Sequence, residues 1–91
     1  MQAQEKIPVK SENTASRIVD GEAVIVVLDK QQTIVLNELG SRIWELVDGQ
    51  KNIAELTQLI TSEFDITSAE ALKDINDFME DLMQREVILM K

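Results

Sequence analysis

Asp20-Gly21 stands between two short β-prone runs, residues 16–19 and 22–28, and no other local feature limits the fold as tightly. A type I′ turn needs positive φ at both central residues, and Asp-Gly tolerates it, so a hairpin is predicted here. Its second run, Ala23-Val24-Ile25-Val26-Val27-Leu28, is apolar without alternation, which predicts cover on both faces. The polar stretch Asp29-Lys30-Gln31-Gln32 then leads into a third run, Thr33-Ile34-Val35-Leu36. A three-stranded antiparallel meander follows.

From Asn37 the pattern turns helical. Asn37 suits the cap of a first helix whose apolar residues are Leu39, Ile43, Trp44, Leu46 and Val47, with Gly49 at its C′ position. Asn52, with Glu55 three residues on, opens a second helix carrying Ile53, Leu56, Leu59, Ile60 and Phe64. Thr67 with Glu70 opens a longer third helix that reaches about Arg85 or Glu86. The apolar tail Val87-Ile88-Leu89-Met90 is expected to pack back as a short extended segment. Residues 1–14 are polar apart from a few positions, hold the only proline and show no periodicity, so they are expected to form a flexible N-terminal arm. The domain proper is then residues 15–91, an α+β fold in which a three-stranded antiparallel sheet precedes a three-helix bundle. Trp44 falls on the inner stripe of the first helix and is expected to anchor the core.

The chain has 91 residues and contains neither histidine nor cysteine. That removes thiol chemistry, thiolate metal sites and the ready general base near neutral pH. In a body this small no enzyme is expected, and no cofactor. The formal net charge is −8, a poor balance for neutralising phosphates, so no nucleic acid is expected as a partner. No apolar run is long enough to span a membrane, and the first dozen residues lack a signal-peptide core. A cytoplasmic location is the simplest expectation.

Two surfaces of the third helix stand out. Glu70, Asp74, Asp77 and Asp81 share a narrow arc. The arc reads first as a solvated face, and without a loop that converges further oxygens it makes a poor metal site. It also biases the helix toward a basic partner or peptide. The apolar arc opposite is broad. Ala71, Phe78 and Leu82 lie on one edge, Ile75 near the middle, and Leu72, Met79 and Met83 on the other edge. The surplus width either packs against the meander and tail or forms one wall of a groove. The two methionines favour a groove, since flexible thioethers suit adaptable peptide surfaces. The third strand of the meander is an edge with no lysine or proline to block pairing, so strand addition is open to it.

The run R-I-V-D-G-E-A-V-I-V-V-L, the block V-L-N-E-L-G-S-R-I-W-E-L-V-D-G and the close D-F-M-E-D-L-M-Q-R-E-V-I together resemble the PqqD-like family, from Arg17 to Ile88. The most specific part is the stretch from Leu36 to Gly49. Leu36, Asn37, Gly40, Trp44 and Gly49 carry the signature and are given structural roles. Before that block this chain has V-V-L-D-K-Q-Q-T-I-V rather than an aromatic, proline-containing stretch, so it resembles a general family member. The resemblance implies a winged-helix-like, chaperone-like recognition element for ribosomally made, post-translationally modified peptides. Such an element binds the leader of a precursor peptide and presents it to a modifying enzyme, a radical S-adenosylmethionine enzyme or a protease or cyclase. In the family the leader adds to the third strand and rests against the third helix. Carried over, that implies backbone pairing along Thr33, Ile34, Val35 and Leu36, and groove contacts from Leu72, Ile75, Asn76, Met79 and Met83. The competing readings are a winged-helix DNA-binding regulator and a homodimeric structural partner. The stretch from Asp65 to Glu86 holds seven acids against two bases, which counts against the first of these.

Overall fold

A computed structural model describes residues 3–91 of the chain. After a short 3-10 turn (Ala3–Glu5) come strands β1 (Pro8–Lys10), β2 (Thr14–Val19), β3 (Glu22–Val27) and β4 (Gln32–Val35). Three helices follow, α1 (Glu38–Leu46), α2 (Ile53–Glu63) and α3 (Ser68–Gln84), and then a last strand, β5 (Ile88–Met90). β2, β3 and β4 form the expected antiparallel meander in that order. The third strand of the sequence reading is therefore β4.

The hairpin closes as its sequence requires. Val19 pairs with Glu22 across the two-residue turn, and Asp20 and Gly21 both take positive φ, 53° and 82°. The helices start where their caps lie. The side chains of Asn37, Asn52 and Thr67 accept from the backbone N–H three residues on, and Glu55 returns the second bond of a capping box. Gly49 departs from expectation. α1 is capped by Val47, and Gly49, at φ 78°, belongs instead to the turn into α2. That turn is held by Asp48, whose carboxylate accepts from the N–H groups of Gln50 and Lys51 and from Lys51 Nζ.

The N-terminal segment differs more from expectation. Met1 and Gln2 lie outside the described residues, but residues 6–11 are tied down rather than loose. β1 pairs antiparallel with β5, Pro8 opposite Met90 and Lys10 opposite Ile88. Ile7 and Lys91 exchange two further backbone bonds, Ser11 N–H donates to Val87, and Ile53 N–H donates to Lys6. Pro8 is fully buried at the first position of its strand, where a missing N–H is tolerated. The apolar tail supplies the partner, since Val87 and Ile88 reach into the core and carry the backbone of β5 with them. β5 is thus the packed-back segment expected of the tail.

One continuous core joins these elements. The sheet contributes Ala23, Ile25, Val27, Ile34 and Leu36, and the helices contribute Ile43, Trp44, Leu56, Ile60, Ile75, Met79 and Leu82 among others. β3 is covered on one face only. Ala23, Ile25 and Val27 are buried while Val24 and Val26 are half-exposed on the other face, beside Val35 and Thr33 of β4. The unbroken apolar run here reflects the preference of a central strand for β-branched residues rather than a second covering layer. Trp44 is the core anchor the sequence implied. It is 2% exposed, its Nε1–H donates to Ser16 Oγ at 3.0 Å, and the Lys10 ammonium stands 4.6 Å from the ring centroid.

Candidate functional site

β4 is the edge of the meander beside the helices, and its backbone parity follows from one bond. Leu36 N–H donates to Ala23 C=O at 2.9 Å. Polar groups alternate sides along an antiparallel strand, so those of Ile34 and Gln32 also point at β3 while those of Thr33 and Val35 point away from the sheet. Among the described residues, Thr33 and Val35 make no backbone bond outside the meander. The edge therefore offers two donors and two acceptors at two-residue spacing. The side chains of Ile34 and Leu36 are buried, whereas Val35 is 59% exposed. Ile34 and Leu36 thus hold the strand in place, and Thr33 and Val35 present it.

Ser41 secures the end of this edge. After Leu36 the chain leaves the sheet for α1, and the Ala23 N–H would lose its ladder partner. The buried Ser41 hydroxyl fills the gap, accepting from Ala23 N–H at 2.7 Å and donating to Leu36 C=O at 3.2 Å. Each buried backbone group is satisfied and α1 is pinned to the β3–β4 ladder. Ser41 lies inside the signature block, but its pattern gave no hint of this role, since a serine in the first turn of a helix is unremarkable.

Two contacts set α3 alongside β4. At one end Lys30, in the turn before β4, bonds to Glu86 just past α3, and this raises the lysine pKa. At the other end α3 meets the start of α1 at Gly40. A Cβ built there would lie 3.1 Å from Phe78 Cε1 and 3.5 Å from Leu36 Cβ. The chain passes from Lys30 to Gly40 as α3 runs back from Glu86 to Phe78, so the residues flanking β4 at either end are tied to α3. The groove next to the strand end has a volume of about 380 Å³. Leu39, Gly40 and Ile43 of α1 form one side, and Asp74, Phe78 and Asp81 of α3 form the other.

This geometry redistributes the helix residues named from the sequence. Ile75 and Met79 are 0% and 1% exposed, core residues that do not line the groove beside Gly40. Leu72 is half-buried on the far edge of α3, where it lines a different hollow with Ala54, Thr57 and Gln58 of α2. Asn76 and Met83 are exposed, and at helical spacing they follow Leu72 along that far edge. The edge that meets the start of α1 is the one bearing Phe78. Gly40 was the available clue. A glycine inside a helix marks a close approach, though it does not say by what.

The acidic arc belongs to the groove side of α3. Asp77 pairs with Lys73 at 3.0 Å, raising the lysine pKa, and Asp81 pairs with Arg85 at 3.2 Å. Asp74 enters no ion pair among the described residues. No set of three or more acidic side chains there converges as a metal site would require.

A free strand edge beside a half-apolar groove invites comparison with known proteins. The sequence pattern of the family described as Coenzyme PQQ synthesis protein D (PqqD) matches residues 22–88. The chain belongs to the PqqD family. TbiB1 in complex with the TbiA(beta) leader peptide is similar to it at 28% identity and TM-score 0.83, over 88% of this chain and 93% of that one. Lasso peptide synthetase B1 complexed with the leader peptide is similar in fold, at 18% identity and TM-score 0.82, over 90% and 96% of the two chains. The PqqD truncation of Methylobacterium extorquens PqqCD, described as a stand-alone recognition element for ribosomally synthesised and post-translationally modified peptides, matches at 19% identity and TM-score 0.78. That match covers 97% of this chain and 93% of the other. No curated protein sequence matches the chain. These relatives share its α+β architecture of a three-stranded antiparallel sheet and three helices.

Proposed function

We propose that the chain is a non-catalytic recognition element that binds the leader segment of a ribosomally synthesised precursor peptide by strand addition to β4 and presents it to a modifying enzyme. The observation that carries this reading is the unpaired edge of Thr33 and Val35, whose strand runs on through Leu36 to the groove between α1 and the Phe78 side of α3. An incoming strand gains main-chain hydrogen bonds from the edge and drops alternate side chains into the groove. Two of the structures it resembles in fold are complexes with leader peptides.

The reading keeps Thr33 and Val35 as backbone partners, with Ile34 and Leu36 as the buried residues that hold them in register. On the helix it replaces Leu72, Ile75, Asn76, Met79 and Met83 with Phe78 and the aspartates beside it. A radical S-adenosylmethionine enzyme, or a protease or cyclase, remains the proposed class of modifying partner. A cytoplasmic setting fits such a partner, and among the described residues no helix is long and apolar enough to cross a membrane. The winged-helix reading carries a DNA-binding alternative, but the exposed face of α3 presents carboxylates where a recognition helix needs cations or amides.

Titration of the ¹⁵N-labelled protein with a synthetic leader peptide, taken from a precursor encoded beside its gene, tests the proposal. Amides of Thr33 and Val35 and the ring of Phe78 are expected to shift together. Saturable binding that moves α2 or β2 and leaves β4 untouched would refute strand addition at this edge.

A further inference from the structure

We infer that the groove beside β4 selects an extended peptide in which a large apolar residue lies between two basic residues, each two positions from it. The inference rests on the strand-addition reading and specifies the chemistry of the occupant. A strand paired to the free edge turns every second side chain toward α3, so the groove reads positions at two-residue spacing. The middle position meets Phe78 and Leu39, the accessible apolar part of the groove, with Ile43 buried behind them. Its neighbours on the same side meet the wall on either side of Phe78, where Asp74 and Asp81 stand and where no lysine or arginine lines the groove.

The spacing fits. Asp74 and Asp81 are seven residues apart on one helix, about 10 Å along its axis. Two strand residues four apart are separated by about 13 Å. The flexible stem of a lysine or arginine absorbs the difference and can lie along apolar surface on the way. The two ends of the groove are not equivalent. Arg85 already holds Asp81, so a peptide cation there shares or displaces an existing partner, whereas Asp74 enters no ion pair among the described residues. Selection is therefore stronger at the Asp74 end. An acidic residue at either position faces like charge from Asp74, Asp77 and Asp81 and is rejected.

Three short acetylated, amidated peptides test this, alike except for lysine, glutamine or glutamate two positions either side of a central phenylalanine. Fluorescence anisotropy at low salt is expected to rank them lysine, glutamine, glutamate, with about a threefold to tenfold gap between neighbours. The gap should narrow at about 0.5 M salt, because exposed charges are screened. The double variant Asp74→Asn, Asp81→Asn should abolish the preference for lysine, so that the lysine and glutamine peptides bind it equally. Replacing both aspartates by lysine should invert the ranking. Equal affinity for all three peptides, with Thr33 and Val35 amides still shifting, overturns the selection and leaves strand addition standing. If none of the three shifts those amides, both ideas fall. Should the same amides shift on simple dilution of the free protein, the occupant is a second copy and the inference falls with it.

Discussion

Val35→Pro separates recognition from folding because of where the Val35 N–H points. The parity fixed by the Leu36-to-Ala23 bond directs that N–H away from β3, so proline removes no bond of the meander. The side chain it replaces is 59% exposed and contributes little to the core. Proline on an edge strand with its N–H side outward is tolerated, so the fold should survive with only a small drop in melting temperature. Binding loses one main-chain hydrogen bond, about 0.5–1.5 kcal/mol net, or roughly twofold to twelvefold in Kd. The ring also stands where the peptide backbone would approach, so the loss should fall at or beyond the upper end. Two controls frame the result. Ile34→Pro removes a donor aimed at β3 and should unfold the sheet, since proline costs a ladder bond there. Ile18→Pro alters an outward N–H on β2, the opposite edge, and should leave peptide affinity unchanged. Calorimetric titration with a leader peptide, paired with circular dichroism melts, reads both quantities. A folded Val35→Pro variant that binds like the wild type would show that β4 is not the pairing edge. Weakening by Ile18→Pro instead would move the site to β2.

Three further perturbations probe the parts that hold the edge in place. Ser41→Ala strands the Ala23 N–H and the Leu36 C=O in the core and should cost about 1–3 kcal/mol in denaturant unfolding, whereas Ser41→Thr should lose less if its hydroxyl keeps both bonds. Gly40→Ala sets a Cβ against Phe78 and the capping oxygen of Asn37, so the ring must give way, and the variant should change peptide affinity and the Phe78 ring resonances together. The Asp48 carboxyl is held down to about 2 from its ordinary 3.8 by the Lys51 ammonium and the N–H groups of Gln50 and Lys51. A folded-state pKa below the unfolded value stabilises above the unfolded pKa, so the turn into α2 should keep its support until pH falls from about 4 through 2. Side-chain NMR titration of Asp48 should show the low midpoint, and Lys51→Met should raise it.

The features legible in the sequence were those written in adjacent residues. Asp20-Gly21 set the hairpin and its register, and Asn37, Asn52 and Thr67 set three helix starts, because a turn or a cap is decided within four residues. Gly49 misled for a related reason. It does adopt positive φ, but the sequence does not say whether a glycine ends the helix or shapes the turn beyond it. The pairing of β1 with β5 joins residues about eighty apart in two three-residue strands, and nothing local to either announces the other. Loop closure over such a distance is compensated by burying Pro8, Val87 and Ile88, which is a tertiary effect.

The candidate site shows the same divide within a single helix. The periodicity of α3 ranks its residues by angle and put Ile75 near the middle of the apolar arc, where it is buried, but Ala71 and Leu82, set on an edge beside Phe78, are fully buried as well. It could not say which neighbour each margin would meet. The Met83 margin seemed suited to a peptide for its flexible thioethers, yet Met79 is core, and Leu72 lies against α2. The Phe78 margin meets the start of α1 because Gly40, with no Cβ, leaves room for the ring, a contact outside the helix itself. Once that margin is the wall, the acidic arc no longer faces away from the site. Asp74, Asp77 and Asp81 line the groove with Phe78, so on the proposed reading the feature that spoke against nucleic acid would set the charge of the peptide the groove holds.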